Sequence, residues 1–473
     1  MKHFILYILL IAGTVLSAQT FPVETIRNSG DNDKRINLVI LSEGYRASEL
    51  NQFMTDADNF VNQMLLLSPF KEYQDYFNIY AIKIPSNESG ADHPATATDV
   101  DESGLTPDFR DTYFNATYDS YGNHRRLFYE IDGNYANNTE LKINALLAVN
   151  LPEYDQAIII VNSTEYGGSG GEFPMAYNGH WGAAVTIHEL GHSMFDLFDE
   201  YYPGDDFANE GINMTQETSP SQVRWKNWVA ENGIGIYQHA DFDGNLKDWY
   251  RPHENCIMRT LFTNAPFCAV CQEGIIEKIH SLISPIDAIL PDDNTVDNPT
   301  FPLDFQLTLL HPTTNSLNRE WTLNGSNFTN DVDAISLVET DLIEGNNTLT
   351  VVVHDDSPML KVDNHNTTHV NTVTWTINYS TLGIDDITNT RNTYTISLFP
   401  NPTNAIVNFK IESENAFNIK VSIVSLDGKN IKTLNISDYE NNQLNISDLN
   451  QGIYVTNFYA DNVLIASKKL VKN

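Results

Sequence analysis

Cysteine, positive charge and long apolar runs are all scarce in this sequence. Only 3 cysteines occur in 473 residues, too few for a fold built on disulfides. They fall in one stretch, as Cys256, Cys268 and Cys271. An odd number allows at most one bridge, and Cys268-x-x-Cys271 lacks the second pair that a zinc ribbon needs. Lys and Arg number 27 against 62 Asp and Glu, a formal net charge of −35. Nucleic acid and anionic membrane surfaces would repel such a chain and are excluded as partners. The one conspicuous apolar run, residues 4–12, is too short to span a bilayer comfortably. Lys2 and His3 precede it and the small pair Ser17-Ala18 follows it, so residues 1–18 read as a secretory signal. Leu16 is larger than usual three residues before the cut, and a retained anchor is the alternative. No integral membrane segment is expected after cleavage.

What is present is core-forming material. Hydrophobic residues make up 41%, which excludes a largely disordered chain. The length suggests about three domains. Residues 36–41 form an apolar run ending in Ser42-Glu-Gly-Tyr45, a strand followed by a turn. Phe53, Ala57, Phe60, Val61, Met64 and Leu65 recur at helical spacing over residues 50–67, ahead of Pro69. Residues 77–84 return to strand, and 85–106 are polar and loop-like. Residues 141–151 suggest a helix, 156–161 a buried strand, and 166–177 a loop with four glycines. Another helix is expected from about Ala183. This alternation makes residues 19–125 a mixed α/β domain and 126–288 a second α/β unit. An acidic, proline-bounded linker spans 291–299. Beyond it strands alternate with Asn and Gly turns, which predicts a β-sandwich over 300–380 and a further all-β unit over 389–473.

The chemistry concentrates in His188-Glu-Leu-Gly-His192. On a helix, residues four apart lie about 40° from each other on one face, so both imidazoles reach one metal ion. Glu189 projects about 100° from His188, where it can hold a water. Zn²⁺ with three protein ligands lowers the pKa of a bound water to about 7, and the carboxylate shuttles its proton to the leaving amine. That is how the pattern supports peptide hydrolysis. The competing reading is two ordinary histidines on a helix. A third ligand is needed, and Asp196, Asp199 and Glu200 follow. Asp199 is favoured, then Glu200, then Asp196. A continuing helix would carry Asp199 roughly 10 Å away, so the chain must turn back. Met258, in Cys256-Ile-Met258, can form a polarizable floor beneath the ligands. A Cys256–Cys268 or Cys256–Cys271 disulfide would pin that turn. Short acidic runs at Asp205-Asp206 and Asp241-Phe-Asp-Gly244 offer calcium sites, though such runs are usually solvated.

With these residues in view, residues 20–288 resemble the IgA-peptidase family of zinc metallopeptidases, metallopeptidase family 64. The residues carrying the resemblance are His188-Glu-Leu-Gly-His192, Asp199-Glu-Tyr201, Cys256-Ile-Met258, Phe267-Cys-x-x-Cys271 and Asn37-Leu-Val-Ile-Leu-Ser-Glu-Gly-Tyr45. The resemblance implies a β-rich N-terminal domain before a metzincin-like catalytic domain. His188 and His192 would then be zinc ligands, Glu189 the general base and Met258 the Met-turn residue. The chain departs from the broader metzincin pattern, which expects Gly three residues past the second His and the third ligand six past. Phe195 and Phe198 stand there, and Asp199 comes one residue later. Leu398-Phe-Pro-Asn-Pro-Thr403, Ser425-Leu-Asp-Gly428, Leu449-Asn-Gln-Gly-Ile-Tyr454 and Lys468-Lys469-x-x-Lys472 resemble a type IX secretion sorting domain. That implies the type IX machinery as a partner and a secreted or cell-surface protein.

The expectation is therefore a multidomain, secreted zinc endopeptidase acting on a protein or peptide substrate, which could add as a strand along residues 167–177. Two alternatives stand beside it. One is a gluzincin-type peptidase using Glu210, whose spacing fits poorly. The other is an inactive adhesin or glycan-binding protein on a peptidase fold. The intact His188, Glu189 and His192 speak against decay.

Overall fold

The structure, a computed structural model of the chain, describes residues 19–129, 137–261, 265–380, 395–412, 419–436, 442–461 and 463–473. The signal expected at 1–18 and the first residues of the module expected from 389 lie outside the described residues. The chain forms two compact units. One comprises Met1–Asn294, Asp304–Ser336 and Leu349–Trp375, and the other Thr295–Leu303, Leu337–Thr348 and Thr376–Asn473.

The first unit is organised by a six-stranded sheet. Its strands are β1 (Val23–Arg27), β2 (Ile36–Glu43), β3 (Phe77–Ile82), β4 (Gln156–Val161), β5 (Gly168–Ser169) and β6 (Met175–Tyr177), in the order β1-β3-β2-β4-β6-β5. The four inner strands run parallel. Both edge strands, β1 and β5, run antiparallel to their neighbours. Every residue of β2, β3 and β4 is buried. Parallel strands covered on both faces read as continuous apolar runs rather than alternating ones, which is why residues 36–41 and 157–161 look as they do.

The covering helices are α1 (Leu50–Met64), α2 (Asn137–Asn150), α3 (Gly182–Ser193) and α4 (Ala269–Leu282). Successive strand residues face opposite sides. Leu38 and Ile40 share a core with Phe53 and Phe60 of α1, Ile187 and Leu190 of α3, and Ile275 and Ile276 of α4. Val39 and Leu41 share the other with Tyr118, Tyr129 and with Leu146 and Leu147 of α2. The helix expected over 50–67 stops as an α-helix at Met64. Leu66 and Leu67 instead bond the carbonyls of Gln63 and Met64, three residues back, and this tighter turn ends the helix before Pro69.

The expected boundary between domains 19–125 and 126–288 falls inside this sheet. β2 pairs with β3 on one side and with β4 on the other, so residues from both sides of the boundary form one unit. The periodicity of each strand is local, whereas the pairing of β2 with β4 joins residues about 120 apart.

Residues 300–380 are β-rich, as expected, but divide between the two units. Within the first, Leu317–Leu323 pairs with Ser326–Asn330 and with residues 349–355, and Trp321 stacks on Trp375 with centroids 5.9 Å apart. The second unit carries a three-stranded and a four-stranded sheet within residues 395–472. They share a core that includes Val407, Phe409, Ile423 and Phe458.

Candidate metal centre

Helix α3 carries His188, Glu189 and His192, and its start is fixed by what precedes it. The chain leaves β6 and turns at Gly179 and Gly182. A Cβ on Gly182 would lie 2.2 Å from the Tyr177 carbonyl oxygen, so only glycine lets the helix begin so close to the strand. The two imidazoles then project from one face, with Nε2 atoms 3.1 Å apart.

The chain does turn back after the helix. Met194 caps α3, Asp196 takes a left-handed conformation with φ +56°, and Leu197 N–H bonds the Gly191 carbonyl at 3.0 Å. Asp tolerates this conformation better than most residues. The turn residue thus lies four past the second histidine instead of three, and Asp199 lies seven past instead of six. Both departures from the broader pattern are the same one-residue displacement.

The reversal brings Asp199 Oδ1 to 3.1 Å from His188 Nε2 and 3.2 Å from His192 Nε2. Oδ1 is buried and has no hydrogen-bond donor other than these two ring nitrogens, which serve as donors only when protonated. Each ring's other nitrogen is held by a backbone carbonyl. His188 Nδ1 bonds Ile257 O at 3.0 Å and His192 Nδ1 bonds Leu197 O at 2.7 Å. A proton on Nδ1 leaves the Nε2 lone pair pointing inward, the arrangement that metal-ligating histidines use. Ligands about 2.0–2.2 Å from a tetrahedral zinc stand about 3.3–3.5 Å apart. The triangle of His188 Nε2, His192 Nε2 and Asp199 Oδ1 is close to that, so these three residues fit a divalent metal ion.

Electrostatics agree. Burial works to lower His188, but Asp199 outweighs it and pushes the ring up to about 9. The same balance raises His192. Burial works to raise Asp199, and the two imidazoles outweigh that, holding its carboxyl below the usual range. The three inward atoms form a group that could hold a cation. Glu189, beside them, is raised by burial, which the two imidazoles partly offset. Tyr201 lies nearly parallel to the His188 ring, 6.4 Å away. Its hydroxyl is pushed up by burial and by the Asp199 and Glu189 carboxylates.

The other candidates go elsewhere. Asp196 pairs with Lys278 at 2.9 Å on the surface. Glu200 is fully buried and accepts from Cys271 Sγ at 3.1 Å, Cys268 Sγ at 3.5 Å and Asn213 Nδ2 at 3.3 Å. Burial pushes its carboxyl well up. Glu210 accepts from Thr215 Oγ1 at 2.8 Å and Gln216 N–H at 2.7 Å, which accounts for both of its oxygens. The expected disulfide is not formed: all three cysteines are free thiols, and Cys256 Sγ and Cys271 Sγ stand 3.8 Å apart. The thiols of Cys268 and Cys271 turn toward Glu200 instead. Asp241 caps its own turn through Asp243 and Asn245 N–H and pairs with Lys247, so its carboxylate already has partners.

Met258 is fully buried under α3. A Cβ on Gly191 would lie 2.8 Å from its sulfur, so the glycine inside the motif is what seats Met258 there. The Met258 carbonyl accepts from Glu200 N–H at 2.8 Å, tying this turn to the Asp199 segment. Sequence reasoning missed the Ile257 and Leu197 carbonyls, since backbone acceptors leave no signature in side-chain type. It also missed Gly170, whose absent Cβ would lie 3.3 Å from Glu189 Oε2. Strand β5 is the sheet edge, but Arg126 already bridges Gly168 there, so strand addition has only the stretch from Gly170 onward.

Residues 24–243, which hold α3 and the three inward-facing residues His188, His192 and Asp199, match the model of IgA peptidase M64. Over this segment the chain is similar to that family. Residues 397–473 match the secretion system C-terminal sorting domain. These matches support a peptidase-family protein, and the sorting domain indicates type IX secretion to the cell surface or exterior. Among the described residues, no helix is long and apolar enough to cross a membrane. No curated protein matches the chain. Solved structures that resemble parts of it include dimeric latent PorU from Porphyromonas gingivalis, with 14% identity over 37% of this chain and 19% of that one at a TM-score of 0.15. The chain therefore spans about a fifth of PorU's length. Another is SGBP-B of the Bacteroides ovatus mixed-linkage glucan utilization locus, with 11% identity over 38% and 66% at 0.14. A third is beta-glucuronidase 3 of Bacteroides uniformis, with 10% identity over 71% and 41% at 0.15.

Proposed function

We propose that the M64 segment is a zinc-dependent endopeptidase acting on extracellular protein, with His188, His192 and Asp199 holding the metal and Glu189 as general base. The observation that carries this reading is the triangle of His188 Nε2, His192 Nε2 and Asp199 Oδ1, with the three atoms 3.1–3.2 Å apart. Three protein ligands leave a fourth position open, which distinguishes a catalytic from a structural zinc site. When bound, zinc supplies Lewis acidity that polarises a carbonyl and makes water a nucleophile near neutral pH.

The chain's own groups do the rest. Glu189 takes the proton of the attacking water on its carboxylate and returns it to the leaving amine nitrogen. The Ile257 and Leu197 carbonyls keep both rings in one tautomer. Gly170 keeps the loop after β5 close to Glu189 without obstructing it. Met258 supports the helix from below. In this reading residues 1–18 direct export, 19–288 carry catalysis, 300–380 add β-rich structure divided between the two units, and the segment from 389 is the sorting module.

The test is cleavage of a mixed protein and peptide library by the purified chain beside Glu189→Ala. Chelator-sensitive cleavage by the wild type alone is expected, with a loss of about 10²–10⁴ in the variant. Equal cleavage by both would remove Glu189 as the base. Silence from a folded, zinc-loaded wild type would favour a binding protein.

A further inference from the structure

Between β3 and α2 the chain runs for more than fifty residues, and among those described the one helical element is a single turn at Ser120–Gly122. Loops longer than about 15 residues without regular structure are uncommon in compact domains. This one is pinned by isolated β-bridges and by the buried Phe114, Ala116 and Tyr118, and also by a cluster of its polar side chains.

We infer that residues 93–124 fold around a second metal ion, a structural zinc held by His93, Glu102, Asp119 and His124. One ligand atom of each residue lies within 4.8 Å of the other three. His93 Nε2 is 3.1 Å from Glu102 Oε1 and 3.4 Å from Asp119 Oδ1. His124 Nδ1 is 2.6 Å from Glu102 Oε1 and 3.6 Å from Asp119 Oδ1. The edges of a tetrahedral N₂O₂ zinc shell, about 3.3–3.5 Å, fall inside that spread. Asp119 Oδ1 has no hydrogen-bond partner apart from the inward ring nitrogens, although its side chain is fully buried. A buried carboxylate oxygen aimed at a point shared by two imidazoles and a second carboxylate is costly unless a cation sits there.

The outward atoms of the four residues strengthen the assignment. Asp119 Oδ2 accepts from Thr96 N–H at 2.9 Å, and Glu102 Oε2 from Ala97 N–H at 2.9 Å. Each carboxylate is thus turned with one oxygen anchored and the other facing in. His93 Nδ1 meets Glu165 Oε2 at 3.1 Å, and His124 Nε2 meets Glu165 Oε1 at 3.8 Å. Glu165 therefore bonds the far nitrogen of His93, the carboxylate–histidine–metal arrangement, and faces that of His124. Two carboxylate ligands balance the charge of a divalent ion. Two imidazoles and two carboxylates favour zinc over calcium or magnesium, which take mostly oxygen. Four protein ligands close the shell, so this ion is structural.

The ion would brace the wall beside the catalytic helix. Glu165 begins the loop that leads to Gly170, and its carbonyl accepts from Tyr118 Oη at 2.6 Å. Gly168 N–H bonds Arg125 O at 3.2 Å, and Ser169 Oγ bonds Leu127 O at 2.6 Å. A clip at His93 and His124 therefore fixes the 125–127 segment against which β5 lies.

The test counts metal in the full-length secreted chain by mass spectrometry after zinc loading and exhaustive dialysis. His93→Gln/His124→Gln is expected to hold one zinc per chain fewer than wild type, while Glu189→Ala holds the same number. Equal zinc in wild type and the double variant would overturn the assignment. If the double variant fails to fold, Asp119→Asn keeps the shape and the Thr96 contact while removing the charge, and at least tenfold weaker zinc binding is expected; unchanged binding would overturn it. Anomalous scattering at the zinc edge from wild-type crystals needs no variant: a peak among the four ligand atoms supports the site, and its absence at saturating zinc refutes it. None of these readouts needs substrate, so they stand apart from the success or failure of the peptidase reading.

Discussion

The groups at His188, His192 and Asp199 and at His93, Glu102, Asp119 and His124 lie in the same unit and use the same chemistry, two imidazoles and carboxylate. They differ by one ligand and by how they are held. The first sits on a helix face plus one reversal, and its ring nitrogens are fixed by backbone carbonyls. In the proposed peptidase it would leave a coordination position open. The second gathers four loop residues, is fixed by backbone N–H groups and by Glu165, and would close the shell of the inferred ion. An open shell needs a rigid scaffold because the fourth position must stay available for chemistry. A closed shell can itself supply the rigidity that a long loop lacks.

The comparison breaks most sharply at a single ligand. Structural zinc contributes about 10–16 kcal/mol over four ligands, or about 3 kcal/mol each. Asp199→Ala leaves two ligands, and we expect it to weaken the catalytic zinc by about 10²-fold or more and to abolish cleavage, read by zinc titration against a chelator. Zinc at the second group should be untouched. Retained cleavage would exclude Asp199 as the third ligand.

A smaller effect is expected one shell further out. Glu165→Gln removes the carboxylate that bonds the His93 ring of the closed group and faces that of His124, and losses of about 10–100-fold in metal affinity are typical of such changes. Zinc at His188 and His192 should not respond, and a response there would show that the two groups are coupled through the 165–170 loop.

Next comes the scaffold of the open site. Gly191→Ala places a Cβ against the buried Met258 sulfur. Because that sulfur ends a flexible side chain, we expect about 1–2 kcal/mol of destabilisation, measured by thermal or denaturant unfolding. No change would mean that Met258 has room to move and is not a rigid floor.

The smallest effect is at the turn. Asp196→Gly relieves a left-handed φ but loses the exposed pair with Lys278. These terms are each below about 1 kcal/mol and oppose one another, so stability should stay within about 0.5 kcal/mol and cleavage should be unchanged. A large loss of activity would show that Asp196 does more than turn the chain.

Much of the open site was legible before the fold because helical spacing is local. His188, Glu189 and His192 share a face whatever surrounds them. Asp199 was legible only conditionally, since its use depended on a reversal that a linear reading could state but not establish. The closed group was not legible. His93, Glu102, Asp119 and His124 are separated by 9, 17 and 5 residues, and no regular element brings such spacings together. The two histidines inside an otherwise polar, acidic loop were the one available signal. The domain boundary near 125 misled for a related reason: each strand announces itself, but the pairing of β2 with β4 does not.

The sequence by itself determined the buried strands, the motif helix and its three chemical groups, and the C-terminal sorting module, because these rest on periodicity and short-range pattern. Tertiary structure alone decided that Asp199 rather than Glu200 faces the histidines, that the cysteines stay unbonded around Glu200, that one sheet takes strands from both sides of residue 125, and that four distant loop residues converge. Each of these depends on contacts between residues far apart in the chain, whose closure depends on packing the whole unit and leaves no mark on the neighbouring residues.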